Sequence, residues 1–234
     1  MIIKLAPSTV LSDPEHRYAL AAKKLYPDTS ILDVGGYNDR RRLIASVIGD
    51  DFKYKAVNNS TAWYGDQVKA EYYDGNHLPF ENQQFDVAIS IDTLEHIDPK
   101  HRATFIAEMI RVSKKVVLVA PFRDPPKLTL EPVFARISEL LRVAVKPSLK
   151  EHIEKGLPAL DEIRSYFRGQ DYSMEFGTDY VKFWQMIFLQ LAANAIGRQR
   201  SKKVNEILRK IFEERLNTNA PLNKSNAYRV IIST

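Results

Sequence analysis

Four short apolar runs constrain this chain more than any other feature: Ser30–Val34, Tyr54–Val57, Phe85–Ile91 and Lys115–Ala120. None alternates apolar with polar residues, as a strand with one wet face would. Each is read as a strand covered on both faces. A weaker candidate, Val68–Tyr73, lies between the second and third. Helix signals separate the runs. Asp13-Pro14 offers a capping side chain and a proline at the first helical position, and Tyr18, Ala21, Ala22 and Leu25 then share one face. Arg40–Ile48 is read as the next helix. Asp98-Pro99 starts another, with Ile106 and Ile110 inward. Strands alternating with helices imply a parallel sheet with right-handed crossovers.

The second half is patterned differently. Leu130, Val133, Phe134, Ile137, Leu140, Leu141 and Ala144 mark an amphipathic helix, and Ala159–Phe167 a shorter one. Tyr172–Phe176 is a strand candidate. Tyr180–Ile196 is a very apolar helix, and Val204, Ile207, Leu208, Ile211 and Phe212 repeat the amphipathic spacing. Ala227–Ile232 is a further strand. Neither an internal repeat nor a low-complexity tract is found.

The 234 residues suit one domain with insertions. The chain has no cysteine, which removes disulfides, thiolate metal sites, iron–sulfur clusters and a cysteine nucleophile from consideration. Met1–Val10 lacks the pattern of a signal peptide, and no apolar run reaches the roughly 20 residues that span a bilayer. A cytoplasmic location is the expectation. The net charge of +5 is modest, and the basic residues are scattered without a series of stacking aromatics, so nucleic acid is not an expected partner.

Two segments carry the chemistry. In Ile31-Leu32-Asp33-Val34-Gly35-Gly36, a buried strand ends in an acid and a glycine turn ahead of a helix. Glycine lets backbone approach a ligand closely, and a helix start offers free N–H donors. The G-x-G-x-x-G of NAD-type sites is absent. The second segment is Asp74-Gly75-Asn76-His77-Leu78-Pro79-Phe80, followed by Phe85-Asp86-Val87 and then by Leu94-Glu95-His96. These residues resemble the type-11 group of class I S-adenosylmethionine (SAM)-dependent methyltransferases. That group carries an acid before a small residue, then L-P-F, F-D-V on the fourth strand, and L-E-H. The resemblance covers about residues 13–121.

The resemblance implies an α/β, Rossmann-like class I methyltransferase fold. Its seven-stranded mixed sheet has order 3-2-1-4-5-7-6, with helices on both faces and the last strand antiparallel. A single domain over 1–234 is expected, with its core at about 13–121, 159–177 and 226–234. Helical insertions would cover about 122–158 and 179–217. It also implies roles by position. Asp33, Gly35 and Gly36 would lie beside the methionine part of SAM. Asn58 stands where the family has an acid that grips the ribose hydroxyls. Asp74 would accept from the adenine amino group, with Gly75 and Asn76 near the ring. Ser90, Ile91 and Asp92 would line the sulfonium, and Tyr37 offers it an aromatic face by location. The sequence departs from the family at Tyr37 and Asp39, which replace later glycines of the turn, and at Asn58.

The implied function is methyl transfer from SAM to a small-molecule or glycan- or lipid-linked acceptor. The alternative is a degenerate domain of this fold that serves as a binding module, suggested by the altered turn. His152 and His96 are the candidate general bases, set against a surface histidine and a pocket-lining one. Arg17 and Tyr18 are candidates for the SAM carboxylate, set against a solvent-facing arginine and a packed tyrosine. No metal ligand is assigned. Residues 122–158 are expected to cap the acceptor site. The helix Tyr180–Ile196, followed by Arg198, Arg200, Lys202 and Lys203, reads as core packing or a homodimer face, with peripheral membrane contact as the alternative.

Overall fold

The computed structural model describes residues 13–36, 44–45, 48–49, 51–58, 71–74, 76–123, 129–145, 147–195 and 221–234. These form a seven-stranded sheet: β1 Ser30–Val34, β2 Lys53–Asn58, β3 Glu71–Tyr72, β4 Phe85–Ile91, β5 Ser113–Pro121, β6 Ser173–Asp179 and β7 Ala227–Ser233. Their order is β3-β2-β1-β4-β5-β7-β6, as expected from the resemblance. The pairs among β1 to β5 are parallel, whereas β7 is antiparallel to both β5 and β6. The chain therefore reverses its direction of winding at β1 and β4. Open α/β sheets bind ligands beyond the carboxyl ends of strands at such a point.

The apolar runs fold as doubly covered strands because successive side chains leave a strand on opposite faces. Ile31, Val87, Ile89, Ile91, Val117 and Val119 pack on one side with Tyr18, Ala21 and Leu25. The last three belong to, or directly follow, helix α1 Asp13–Ala22. Leu32, Ala88, Val116 and Leu118 face the other side, where they meet Phe105, Ile106 and Met109 of helix α2 Arg102–Val112. Asp98 accepts a hydrogen bond from the Lys100 N–H and starts a single 3₁₀ turn, Pro99–His101, ahead of α2. Of the expected helix at Arg40–Ile48, only residues 44, 45 and 48 lie among those described, and all three are helical.

The second half departs from the sequence expectation at one place. The helix expected over Leu130–Ala144 is shorter: α3 covers Glu131–Leu140. It ends in a turn whose Arg142 has a left-handed φ of 54°. A separate helix, α4 Pro147–Lys155, follows, and proline suits its first position. Then come α5 Leu160–Tyr166 and, between β6 and β7, α6 Tyr180–Ala195. One face of α6 packs inward through Trp184 and Leu191, with Trp184 and Phe188 against Phe134 of α3, and Phe183 stacked on Tyr228 of β7.

Arg102 fastens this second half to the sheet. Its side chain is 2% exposed. Its Nε donates to the Ile97 carbonyl at 3.2 Å, and Nη2 donates to the Gly156 carbonyl at 2.6 Å and the Lys155 carbonyl at 3.3 Å. Nη1 meets Glu162 at 3.3 Å. One guanidinium thus joins the start of α2 to the α4–α5 connection. Arg102→Met keeps the volume but leaves these buried acceptors without donors, and should cost about 3 kcal/mol. A urea denaturation midpoint equal to that of the wild type would show that the α4–α5 connection is held by other contacts.

Candidate active site

The turn after β1 is shaped by what lies behind it. Gly35 has φ +87° and donates its N–H to the Val57 carbonyl at 2.8 Å. A Cβ on Gly35 would lie 2.3 Å from Oγ1 of Thr93, just past β4, and one on Gly36 would lie 2.0 Å from the Asp33 carboxyl carbon. Both positions therefore require glycine, for a left-handed φ and for close approach respectively. Asp33 is fully buried; its Oδ2 accepts from the Tyr54 hydroxyl at 2.7 Å and from that of Tyr18 at 3.4 Å. Tyr18 is thus a packed tyrosine that holds Asp33. At the end of β2, Asn58 donates through Nδ2 to the Gly35 carbonyl at 3.1 Å, which ties it to the turn.

Asp74 is exposed beyond β3. It accepts from the Asn76 backbone N–H at 2.8 Å and from its side-chain amide at 3.3 Å. These bonds favour the ionised form and hold the Asp74 carboxyl below its usual range. Ser90 is fully buried near the end of β4, and its hydroxyl has no hydrogen-bond partner among the described residues. Ile91 is packed in the core beside Tyr18.

Asp92 serves a purpose the sequence does not reveal. Its carboxylate is clamped by Arg229 of β7, with Nη2 to Oδ2 at 2.6 Å and Nε to Oδ1 at 2.9 Å. Arg17 of α1 adds a bond to Oδ2 at 2.9 Å. The two guanidiniums hold this carboxyl far below the usual range despite its burial. This carboxylate joins α1, the end of β4 and β7. Arg17 is partly buried and is engaged with Asp92 rather than simply solvent-facing. The signal for this junction is Arg229 itself, a lone charge within the apolar run Ala227–Ile232.

The two candidate histidines, far apart in sequence, come together. His96 lies in a 3₁₀ turn, Leu94–His96, just past β4, and His152 lies on α4. Their Nε2 atoms are 3.1 Å apart. Nδ1 of His96 is 2.7 Å from Oε2 of Glu151, and the Lys155 ammonium donates to the His96 carbonyl at 2.5 Å. Beneath them is Glu95, 1% exposed. Its Oε1 is 3.7 Å from His152 Nε2 and 4.0 Å from His96 Nε2, while Oε2 has no hydrogen-bond partner among the described residues. Burial, reinforced by Asp92, pushes the Glu95 carboxyl well up. Burial also lowers His96, against the pull of Glu151, and together with His96 it lowers His152 to about 4. Both imidazoles are neutral near pH 7, so each has a lone pair to offer. His152 is therefore no surface histidine.

Tyr37, Asp39, Gly75, Arg198, Arg200, Lys202, Lys203 and the amphipathic pattern from Val204 to Phe212 lie outside the described residues. Asp33, Gly35, Gly36, Asn58, Ser90, Asp92 and the histidine pair all gather at the carboxyl edge of the sheet, around β1, β2 and β4. Removing one member of the Asp92–Arg229 pair strands a buried charge. Asp92→Leu or Arg229→Met alone should cost about 3–5 kcal/mol, and the double replacement should recover part of that loss. Additive losses in urea denaturation of the three variants would show that the two residues act independently.

Residues 38–115 match the profile of the methyltransferase domain family, a third of the chain. No curated protein matches it. Solved structures resemble it along most of its length. One is the phosphoethanolamine N-methyltransferase 2 of Haemonchus contortus, in complex with phosphomonomethylethanolamine and S-adenosylhomocysteine. It has TM-score 0.56 and 16% identity, over 92% of this chain and 51% of that one, so the chain spans about half that enzyme's length. Another is YcgJ of Bacillus subtilis, with TM-score 0.50 and 16% identity over 93% and 96% of the two chains. A third is the geranyl diphosphate C-methyltransferase of Streptomyces coelicolor, with TM-score 0.52 and 12% identity over 92% and 77%. By strand order and by these likenesses the chain has the fold of the class I SAM-dependent methyltransferases, and about a third of it matches the methyltransferase domain family.

Proposed function

We propose that this chain moves a methyl group from SAM to a small-molecule or glycan- or lipid-linked acceptor. The observation that carries this reading is the Gly35-Gly36 turn. It has no room for a Cβ, stands over a buried carboxylate, and sits where the sheet reverses its winding. The residues present suit the cofactor. Gly36 keeps the chain close to Asp33, and the Ser90 hydroxyl is a buried polar group without a partner among the described residues. Asp33, Gly35 and Gly36 would hold the amino-acid end. Asn58 would face the ribose, and Asp74 and Asn76 the adenine. Ser90 and Ile91 would line the sulfur.

When bound, SAM supplies a methyl group on positively charged sulfur, open to in-line attack. The chain contributes mainly by holding two reactants in register, an effect worth roughly 7–11 kcal/mol in favourable cases. The histidine pair is the group that would meet the acceptor. Glu151 orients the His96 ring, and α4 closes over the 3₁₀ turn that carries it. The reading of residues 122–158 as a cap is supported for α4, which reaches the carboxyl edge through His152, whereas α3 packs on α6. Among the described residues no helix is long and apolar enough to cross a membrane. One observation favours a second reading, a non-catalytic binding module: an amide, Asn58, is bonded to the Gly35 carbonyl at the position where the family has an acid.

Isothermal titration with SAM and with S-adenosylhomocysteine separates the two readings. Binding by the wild type is expected, with a loss of about 1–3 kcal/mol, roughly five- to 150-fold, in Asp74→Ala. Hydrogen exchange should show protection gained around Gly35 and along Pro147–Lys155. Failure of the folded protein to bind either compound would leave the binding-module reading. Unchanged affinity in Asp74→Ala would mean that the adenine is held elsewhere.

A further inference from the structure

Glu95, His96 and His152 present three ligand-type atoms to one point: Glu95 Oε1, His96 Nε2 and His152 Nε2. Their separations are 3.1, 3.7 and 4.0 Å. A point equidistant from all three lies about 2.1 Å from each, the length of a metal–imidazole bond and within the range for a metal–carboxylate bond. From this geometry we propose that Glu95, His96 and His152 form a site for a divalent first-row transition ion, of the Mn²⁺, Co²⁺ and Zn²⁺ class.

Three further observations support the site. Glu95 is almost completely buried, and its Oε2 finds no hydrogen-bond donor among the described residues. A buried carboxylate oxygen without a donor is costly, and a cation beside it relieves that cost. Second, Glu151 accepts from Nδ1 of His96 at 2.7 Å, a pairing that leaves the lone pair on Nε2, the atom that meets His152 and Glu95. A carboxylate behind a ligating imidazole is the usual arrangement for fixing its tautomer and orientation. Third, two imidazole Nε2 atoms at 3.1 Å beside one carboxylate oxygen are donor atoms that suit borderline ions better than the all-oxygen preference of Ca²⁺ or Mg²⁺. The Lys155 ammonium is engaged by the His96 carbonyl.

Three protein ligands leave coordination positions open. The site stands at the carboxyl edge beside β4, so those positions face the region where the acceptor would lie. The acceptor class that fits is one with an oxygen donor, a hydroxyl or a phosphate oxygen, which the ion would fix and polarise. This acceptor role rests on the methyl-transfer reading above, whereas the metal site itself does not.

The test is a Co²⁺ titration of the protein without a polyhistidine tag, followed by visible absorption, with Mn²⁺ followed by electron paramagnetic resonance. One ion per chain is expected. Glu95→Gln and His152→Gln should each weaken Co²⁺ by at least a hundredfold, and Glu151→Gln, which keeps all three ligands, by about ten- to hundredfold. Circular dichroism and melting curves confirm that the variants are folded. Should Glu95→Gln fail to fold, His152→Gln and Glu151→Gln decide the matter. Wild-type affinity for both ions no tighter than that of folded His152→Gln overturns the site. S-adenosylhomocysteine binding without Co²⁺ binding sinks the metal and spares the methyl-transfer reading. Co²⁺ binding without S-adenosylhomocysteine binding supports the metal site and removes its acceptor role.

Discussion

The buried contact of Asp92 with Arg229 and Arg17 is the constraint on which the carboxyl edge depends. A charge taken out of water costs several kcal/mol unless it is paired and hydrogen-bonded, and this carboxylate receives bonds from two guanidiniums. The pairing fixes more than energy. Asp92 has φ +46°, a left-handed conformation that aspartate tolerates better than most residues. The bend it makes turns the chain away from β4, lays Thr93 against Gly35 and sets up the 3₁₀ turn that carries Glu95 and His96. The glycine-turn side and the histidine side of the edge are thus placed by the same residue.

Much of the sheet was legible in the sequence because its signals are local. A strand buried on both faces has to be apolar at successive positions, and Ile31 with Leu32, or Val87 with Ala88, show this without reference to any partner. The glycine turn was legible for a similar reason, since Gly35 and Gly36 answer to backbone geometry that only glycine satisfies. Helix α4 was not legible. Pro147–Lys155 has few apolar residues, and it is held by bonds from Glu151, His152 and Lys155 to a turn about 55 positions earlier. The partner of Asp92 was hidden for the same reason, because Arg229 lies 137 positions away. Each histidine could be singled out, yet only the fold shows that they meet.

The two halves of the molecule contribute unequally to the candidate site. The region up to β5 supplies the glycine turn, Asn58, Asp74 and Ser90 from the ends of parallel strands. The later segment supplies His152 from a short polar helix that would be marginal alone. Arg102 makes that helix dependable by binding the carbonyls at its end. A side with a rigid frame is thus joined to one that rests on a few polar anchors, a division that suits a fixed ligand on one side and exchange of a second on the other.

The position of β7 has a consequence for how the molecule is made. This strand lies between β5 and β6, although it follows both in the chain. Until residues 227–233 leave the ribosome, β5 and β6 each have an open edge and Asp92 lacks its main counter-charge. Parallel pairing of β1 to β5 can begin during synthesis, but the sheet cannot close before Arg229 arrives. A nascent chain halted before residue 227 would therefore expose two adhesive strand edges, and its unfinished state is the one most in need of a chaperone.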